Sequence, residues 1–133
     1  MNNEQAIGAS RKHIAELHPE VIDWINYSLF VKDEVKSLNH RLMEIAHRYT
    51  DHDVMAQVEH FQNQFIRQDE VSDELLHDLR AAEHVFSEIS KTNPAASHVL
   101  FDDHVELRDK ATTHKTIFED LRHEFQLFLA KYM

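Results

Sequence analysis

The feature that most limits the fold is a stripe of residues in alternating steps of four and three. In a first segment it runs Trp24, Ser28, Val31, Val35, Leu38, Leu42, Ile45, Tyr49. In a second it runs Val54, Val58, Phe61, Phe65, Gln68, Ser72, Leu75, Leu79, Ala82, Phe86, Ile89. The third runs Ser97, Leu100, His104, Leu107, Ala111, His114, Phe118, Leu121, Phe125, Phe128, Tyr132. A seven-residue period held this long turns one face of a helix toward a partner helix and imposes left-handed, coiled-coil-like packing.

The punctuation agrees. The chain has one glycine, Gly8, and two prolines, Pro19 and Pro94, too few turn formers for many short strands. Pro19 sits where a first helical turn tolerates a missing N–H. Thr50 or Asp51 can cap a second helix, and Asn93 with Pro94 can open a third. The predicted helices span 19–49, 51–91 and 94–131. Very short connections make neighbours antiparallel, so the expected fold is all-α, an up-down-up antiparallel bundle of three long helices in one domain, 1–133. The first helix is then shorter than the others by about ten residues, roughly 15 Å. Residues 1–18 are expected to fill that gap as an extension with a short helix carrying Ile7, Ile14 and Leu17. A kinked continuation through Pro19 is the alternative.

Charge narrows the function classes. The formal net charge is −10 with neutral histidines, which opposes binding to nucleic acid or to an anionic membrane surface. No apolar run approaches the roughly 18 residues of a membrane span. The start, "MNNEQAIGASRKH", lacks the apolar stretch of a secretion signal. Cysteine is absent, which removes disulfides, thiolate metal sites and cysteine nucleophiles. A cytoplasmic setting is expected. Protonating all twelve histidines would carry the net charge past zero, since unperturbed imidazoles titrate near pH 6.5.

Twelve histidines invite a metal reading, and their spacing argues against it. Chelation from one helix needs histidines one turn apart, and no HxxxH or HxxH occurs. A ferritin-like site needs inward ExxH pairs from two helices plus two further glutamates. Glu44–His47 and Glu74–His77 have that spacing, but the seam places all four on outward faces. They are weak metal candidates, to be gathered only if a dimer buries them. A hemerythrin-like pattern fails for want of HxxxH, although its HxxxxD element is present at His18–Asp23, His98–Asp103 and His104–Asp109. Met43 and Met55 lie off the seam, so a haem held by His and Met is not expected. No cofactor is expected. Motifs for nucleophilic or phosphate chemistry are absent, and the chain is expected not to be an enzyme.

Two histidines fall on the seam itself. His114 lies level with Gln68 and Ser72 and within a turn or two of Ser28. These four predict a polar layer in an otherwise apolar core, fixing helix register at some cost in stability. A small polar pocket or weak metal site is the functional alternative, without a carboxylate to neutralise a cation. His104 is a separate seam histidine facing Ala82, expected to keep one ring nitrogen bonded and the other at the rim. Protonating His114 would loosen the layer, which makes a pH-responsive bundle a further alternative. Surface acids four residues from histidines, Asp73–His77, His47–Asp51, His98–Asp102 and Glu119–His123, read as exposed charge pairs.

Apolar residues also lie off the seam: Ile22, Ile25, Leu29 and Phe30, then Ile66 and Leu76, then Ile117, Leu127 and Leu129. Three helices cannot hide all of these around one axis. Some are expected to cover the bundle's wide flanks and the rest to form an exposed stripe, hence a homodimer or a protein partner, with single scattered surface apolars as the alternative. The stretches "VEHFQNQFIRQDEVSDELLHDLR" (58–80), "ELHPEVIDW" (16–24) and "FLAKYM" (128–133) resemble short, uncharacterised all-helical proteins of Bacteroidetes-type bacteria. The resemblance covers most of the chain. It implies a bacterial source and a cytoplasmic setting, and supplies no active site.

Overall fold

The computed structural model describes the backbone of residues 3–92 and 97–133 and the side chains of residues 17–88 and 104–133. Three helices pack against one another: α1 (Asn3–Arg48), α2 (His52–Thr92) and α3 (Ser97–Tyr132). The described residues contain no strand and no helix long and apolar enough to cross a membrane.

The separate short helix expected over 1–18 is replaced by one helix of 46 residues with Pro19 inside it. The apolar stripe explains the continuity. Leu17 and Val21 flank Pro19 and are both buried, so the face that packs is unbroken where the backbone loses one hydrogen bond. His47 and Arg48 occupy the last turn, where cations meet the negative helix end. Asp51 caps α2: its carbonyl accepts from the Met55 amide at 2.9 Å, and Asp53 supplies an acid to the first turn. The caps expected at Asn93 and Pro94 lie outside the described residues.

The seam residues form the interior in two apolar clusters. One holds Val31–Ile45 of α1, Val54–Phe65 of α2 and Phe118–Phe128 of α3. The other holds Leu17–Ile25, Leu75–Phe86, Leu107 and Ala111. Between them Ser28, Gln68, Ser72 and His114 are buried. Trp24, Tyr49, Ala82 and Tyr132 are partly buried against the clusters, while Ile89, Ser97 and Leu100 lie outside the described side chains.

Ile25 and Leu76, expected among the surplus apolars, are buried. Each sits one residue beyond the seam. One heptad on from Ile25 is Lys32, and one heptad before Leu76 is Asp69; those two are joined at 2.9 Å. Both apolar residues therefore occupy the flank that α1 and α2 turn to each other, which widens the buried stripe. Leu29, Phe30, Ile66, Ile117 and Leu127 remain exposed.

Candidate functional site

The polar layer is built from one face of each helix. Ser28 comes from α1, Gln68 and Ser72 from successive turns of α2, and His114 from α3. Ser72 Oγ and His114 Nε2 are 2.9 Å apart, a hydrogen bond between two residues at or below 2% exposure. Tyr27 sets its ring edge-on to His114 at 6.4 Å. Ser28 Oγ, Gln68 Oε1 and His114 Nδ1 are buried without a hydrogen-bond partner. Each such group costs about 1–3 kcal/mol. Burial pushes the His114 pKa below 6.5, because a cation there exchanges water for apolar walls and no carboxylate offsets the loss. His114 is thus neutral at pH 7.

His104 is bound differently from the expectation. Its side chain is wholly buried, yet no nitrogen reaches the rim. Nε2 lies 2.9 Å from Glu20 Oε2, and Nδ1 is buried without a partner. A carboxylate only accepts, so Nε2 carries a proton and donates it toward Glu20. Arg108 grips both oxygens of Glu20, with Nη2 at 3.1 and 2.8 Å. Its approach to Nε2, at 3.4 Å, is too long to compete with the carboxylate. Burial raises the Glu20 pKa, but Arg108 and His104 together outweigh it and hold the carboxyl below its usual 4.5. Trp24 lies against the imidazole at 5.0 Å and Phe86 edge-on at 6.4 Å.

Glu20 and Arg108 escaped the sequence reading. Arg108 is one turn beyond His104, a visible hint. Glu20 is 84 positions away, and periodicity names a residue's face without naming its level on another helix.

The four metal candidates are not gathered. His47 Nδ1 donates to its own helix, at the Met43 carbonyl 2.6 Å away. Glu44 pairs with His40 at 3.6 Å, and Glu74 with Arg67 at 3.9 Å. His77 is exposed. Among the described residues no three His, Asp or Glu side chains converge as a metal site requires. Two expected surface pairs are also replaced. Asp73 takes Lys32 at 2.7 Å, raising the lysine's pKa together with Asp69, and Glu119 accepts the Tyr27 hydroxyl at 2.9 Å. Burial first, and then that bond, push the Tyr27 pKa well up. His98–Asp102 lies outside the described side chains.

The layer opens toward two grooves. Ser28 lines one between α1 and α3, of about 460 Å³, with Trp24, Tyr27 and Lys115. Gln68 and His114 line a larger one between α2 and α3, of about 640 Å³, whose apolar walls are Val71, Leu75 and Ile117.

These features define an all-helical protein of three packed helices, interrupted by a buried histidine layer. No protein-family model, no curated protein and no solved structure matches the chain.

Proposed function

We propose that the protein is a non-catalytic helical-bundle interaction module that works in the cytoplasm. Its helices are taken to run up-down-up. The pairing of Glu20, in the first half of α1, with His104, early in α3, and of Tyr49 with Tyr132 at the C-terminal ends of the same two helices, supports that topology. The observation that carries the reading is the exposed apolar set, Leu29, Phe30, Ile66, Ile117 and Leu127, of which Leu127 is 61% exposed. Large apolar side chains left exposed on the surface are what a covering protein would bury. The partner is a second copy of this chain or a different protein; the acidic charge disfavours nucleic acid and anionic membranes.

Native mass spectrometry tests the reading, because subunit count and bound metal appear in one spectrum. A metal-free species is expected, with a chelator leaving the melting temperature unchanged. Self-association would give a mass above 15.7 kDa. Stoichiometric metal after metal-free purification would replace this proposal with a metal-binding bundle.

A second reading, a pH-responsive bundle, is favoured by the burial of His114 without a carboxylate beside it. NMR titration of that ring checks it: an ordinary pKa without unfolding on acidification would remove it.

A further inference from the structure

The three grooves of the bundle are not equivalent. Between α1 and α2, Lys32 reaches Asp69 and Asp73, and His18 approaches Glu83. Between α1 and α3, Glu20 holds His104 and Arg108, Tyr27 binds Glu119, Arg122 faces Glu34 at 4.0 Å, and Tyr49 binds the Tyr132 carbonyl. Among the described residues the α2–α3 groove carries fewer such bridges than the α1–α3 groove. Beyond the buried Ser72–His114 bond it carries Lys110–Asp78 at 3.7 Å and a long Gln57–Tyr132 contact at 3.5 Å.

On one side of the Lys110–Asp78 bridge, the walls are Val71, Leu75 and Ile117. On the other, Ala82, Val85, Phe86 and Leu107 enclose about 310 Å³. Asp78 and Lys110 line both stretches, so they are one groove. From Gln64 to Phe86 it spans about six helical turns, roughly 33 Å. Val85 and Ile117 are exposed along it, Ile117 by 46%. Leu127, four turns on from the groove-lining Thr113, continues the same face. Gln68 and His114 line its floor, each with a buried polar atom lacking a partner. A groove of this length between two helices, with apolar side chains flanked by charged ones, fits an amphipathic helix laid along it.

Charge selects the occupant. Glu74, Asp78, Glu106 and Asp109 line the groove, against Arg67 and Lys110. Both cations are already held by the chain's own acids: Arg67 by Glu70 and Glu74, Lys110 by Asp78 and Glu106. Those bridges also engage Glu74, Asp78 and Glu106, so four acids against two cations leave the lining with a net charge of −2, on a chain of net charge −10. A second copy would set the same acids against each other. We infer that the α2–α3 groove receives an amphipathic helix of a different protein, apolar on its buried face and rich in lysine or arginine along its flanks. This rests on the interaction-module reading and adds to it the place and the chemistry of the partner.

The test titrates the full chain, with labelled methyl groups, against two synthetic helical peptides of about six turns. One carries leucine on one face and lysine on the other; its twin carries glutamate in place of lysine. The Leu/Lys peptide is expected to shift the methyls of Val71, Leu75, Val85 and Ile117, and to bind more weakly as salt is raised. Ile117→Lys should weaken it about tenfold or more, whereas Leu29→Lys on α1 should not. Val85→Lys serves the same purpose if Ile117→Lys does not fold. Shifts confined to the methyls of Leu29 and Ile66 would overturn the groove assignment and leave the module reading standing. Equal binding of the Leu/Glu peptide would overturn the charge assignment. A dimer in native mass spectra whose groove methyls are protected would show a second copy as the occupant and overturn the inference. No shift with either peptide, in a chain that stays monomeric, would remove both the inference and the module reading.

Discussion

At the scale of single residues, His114 is the group whose environment dictates behaviour. Tyr27 faces its ring from α1 with a hydroxyl engaged by Glu119, and α2 presents the neutral Gln68 and Ser72. No carboxylate stabilises the imidazolium, so the unfolded chain takes up this proton before the folded one does. A depressed pKa means that stability is complete above 6.5 and is lost as pH falls below it. Thermal melts between about pH 7.5 and 5 should show a loss of melting temperature that His114→Gln largely removes. Identical profiles for the two proteins would contradict this. Glu20, held below 4.5, adds a separate loss at lower pH, since its stabilisation disappears as the carboxylate protonates. The hydrogen bond itself calls for a double-mutant cycle. Ser72→Ala alone strands Nε2 of His114 and should cost about 1–3 kcal/mol. Ser72→Ala with His114→Leu should recover most of that, with a coupling of about 1 kcal/mol or more in urea unfolding. Additive losses would mean that the pair contributes nothing as a pair.

At the scale of the helix, the informative element is α1. Pro19 offers no N–H to the Ala15 carbonyl, yet α1 runs through it. Pro19→Ala should stabilise the protein, by up to about 3 kcal/mol, and slow amide exchange on both sides of the substitution. No gain would show that the backbone there already compensates the missing bond. The seam was legible because helix geometry alone converts a 4–3 period into a buried face; Val31, Leu42, Phe65 and Phe118 needed no knowledge of their neighbours. The continuation through Pro19 was only half legible, since proline signals a start and an interruption equally well. Lateral contacts were not legible. Asp73 has His77 one turn away but binds Lys32 from another helix, and Glu119 likewise binds Tyr27. The partner of His104 was hidden for the same reason. That some off-seam apolars would cover the flanks was legible; that Ile25 and Leu76 are the ones was not, because the period does not give the width of the buried stripe.

At the scale of the molecule, the core is two apolar clusters separated by the polar layer. The first is rich in rings: Phe125 lies 5.2 Å from Phe61, 5.1 Å from Phe65 and 6.0 Å from Phe128. Phe125→Ala should cost about 3–5 kcal/mol. Hydrogen exchange should show protection falling most in residues 31–65 and 118–128, and less around Leu79 and Leu107. Equal loss in both halves would mean that the layer does not partition cooperativity.

The Ser72–His114 bond also restricts which alignments the chain can adopt. A repeating apolar stripe is ambiguous in the way a ruler with unnumbered marks is ambiguous: α3 displaced by one heptad would still lay leucine and phenylalanine on apolar positions. Such a displacement would bring His114 opposite Phe65 or Leu79, where neither ring nitrogen finds a donor or an acceptor, while Ser72 met a hydrocarbon. The misaligned bundle would therefore forfeit a bond that the native one keeps, so a single imidazole numbers the marks.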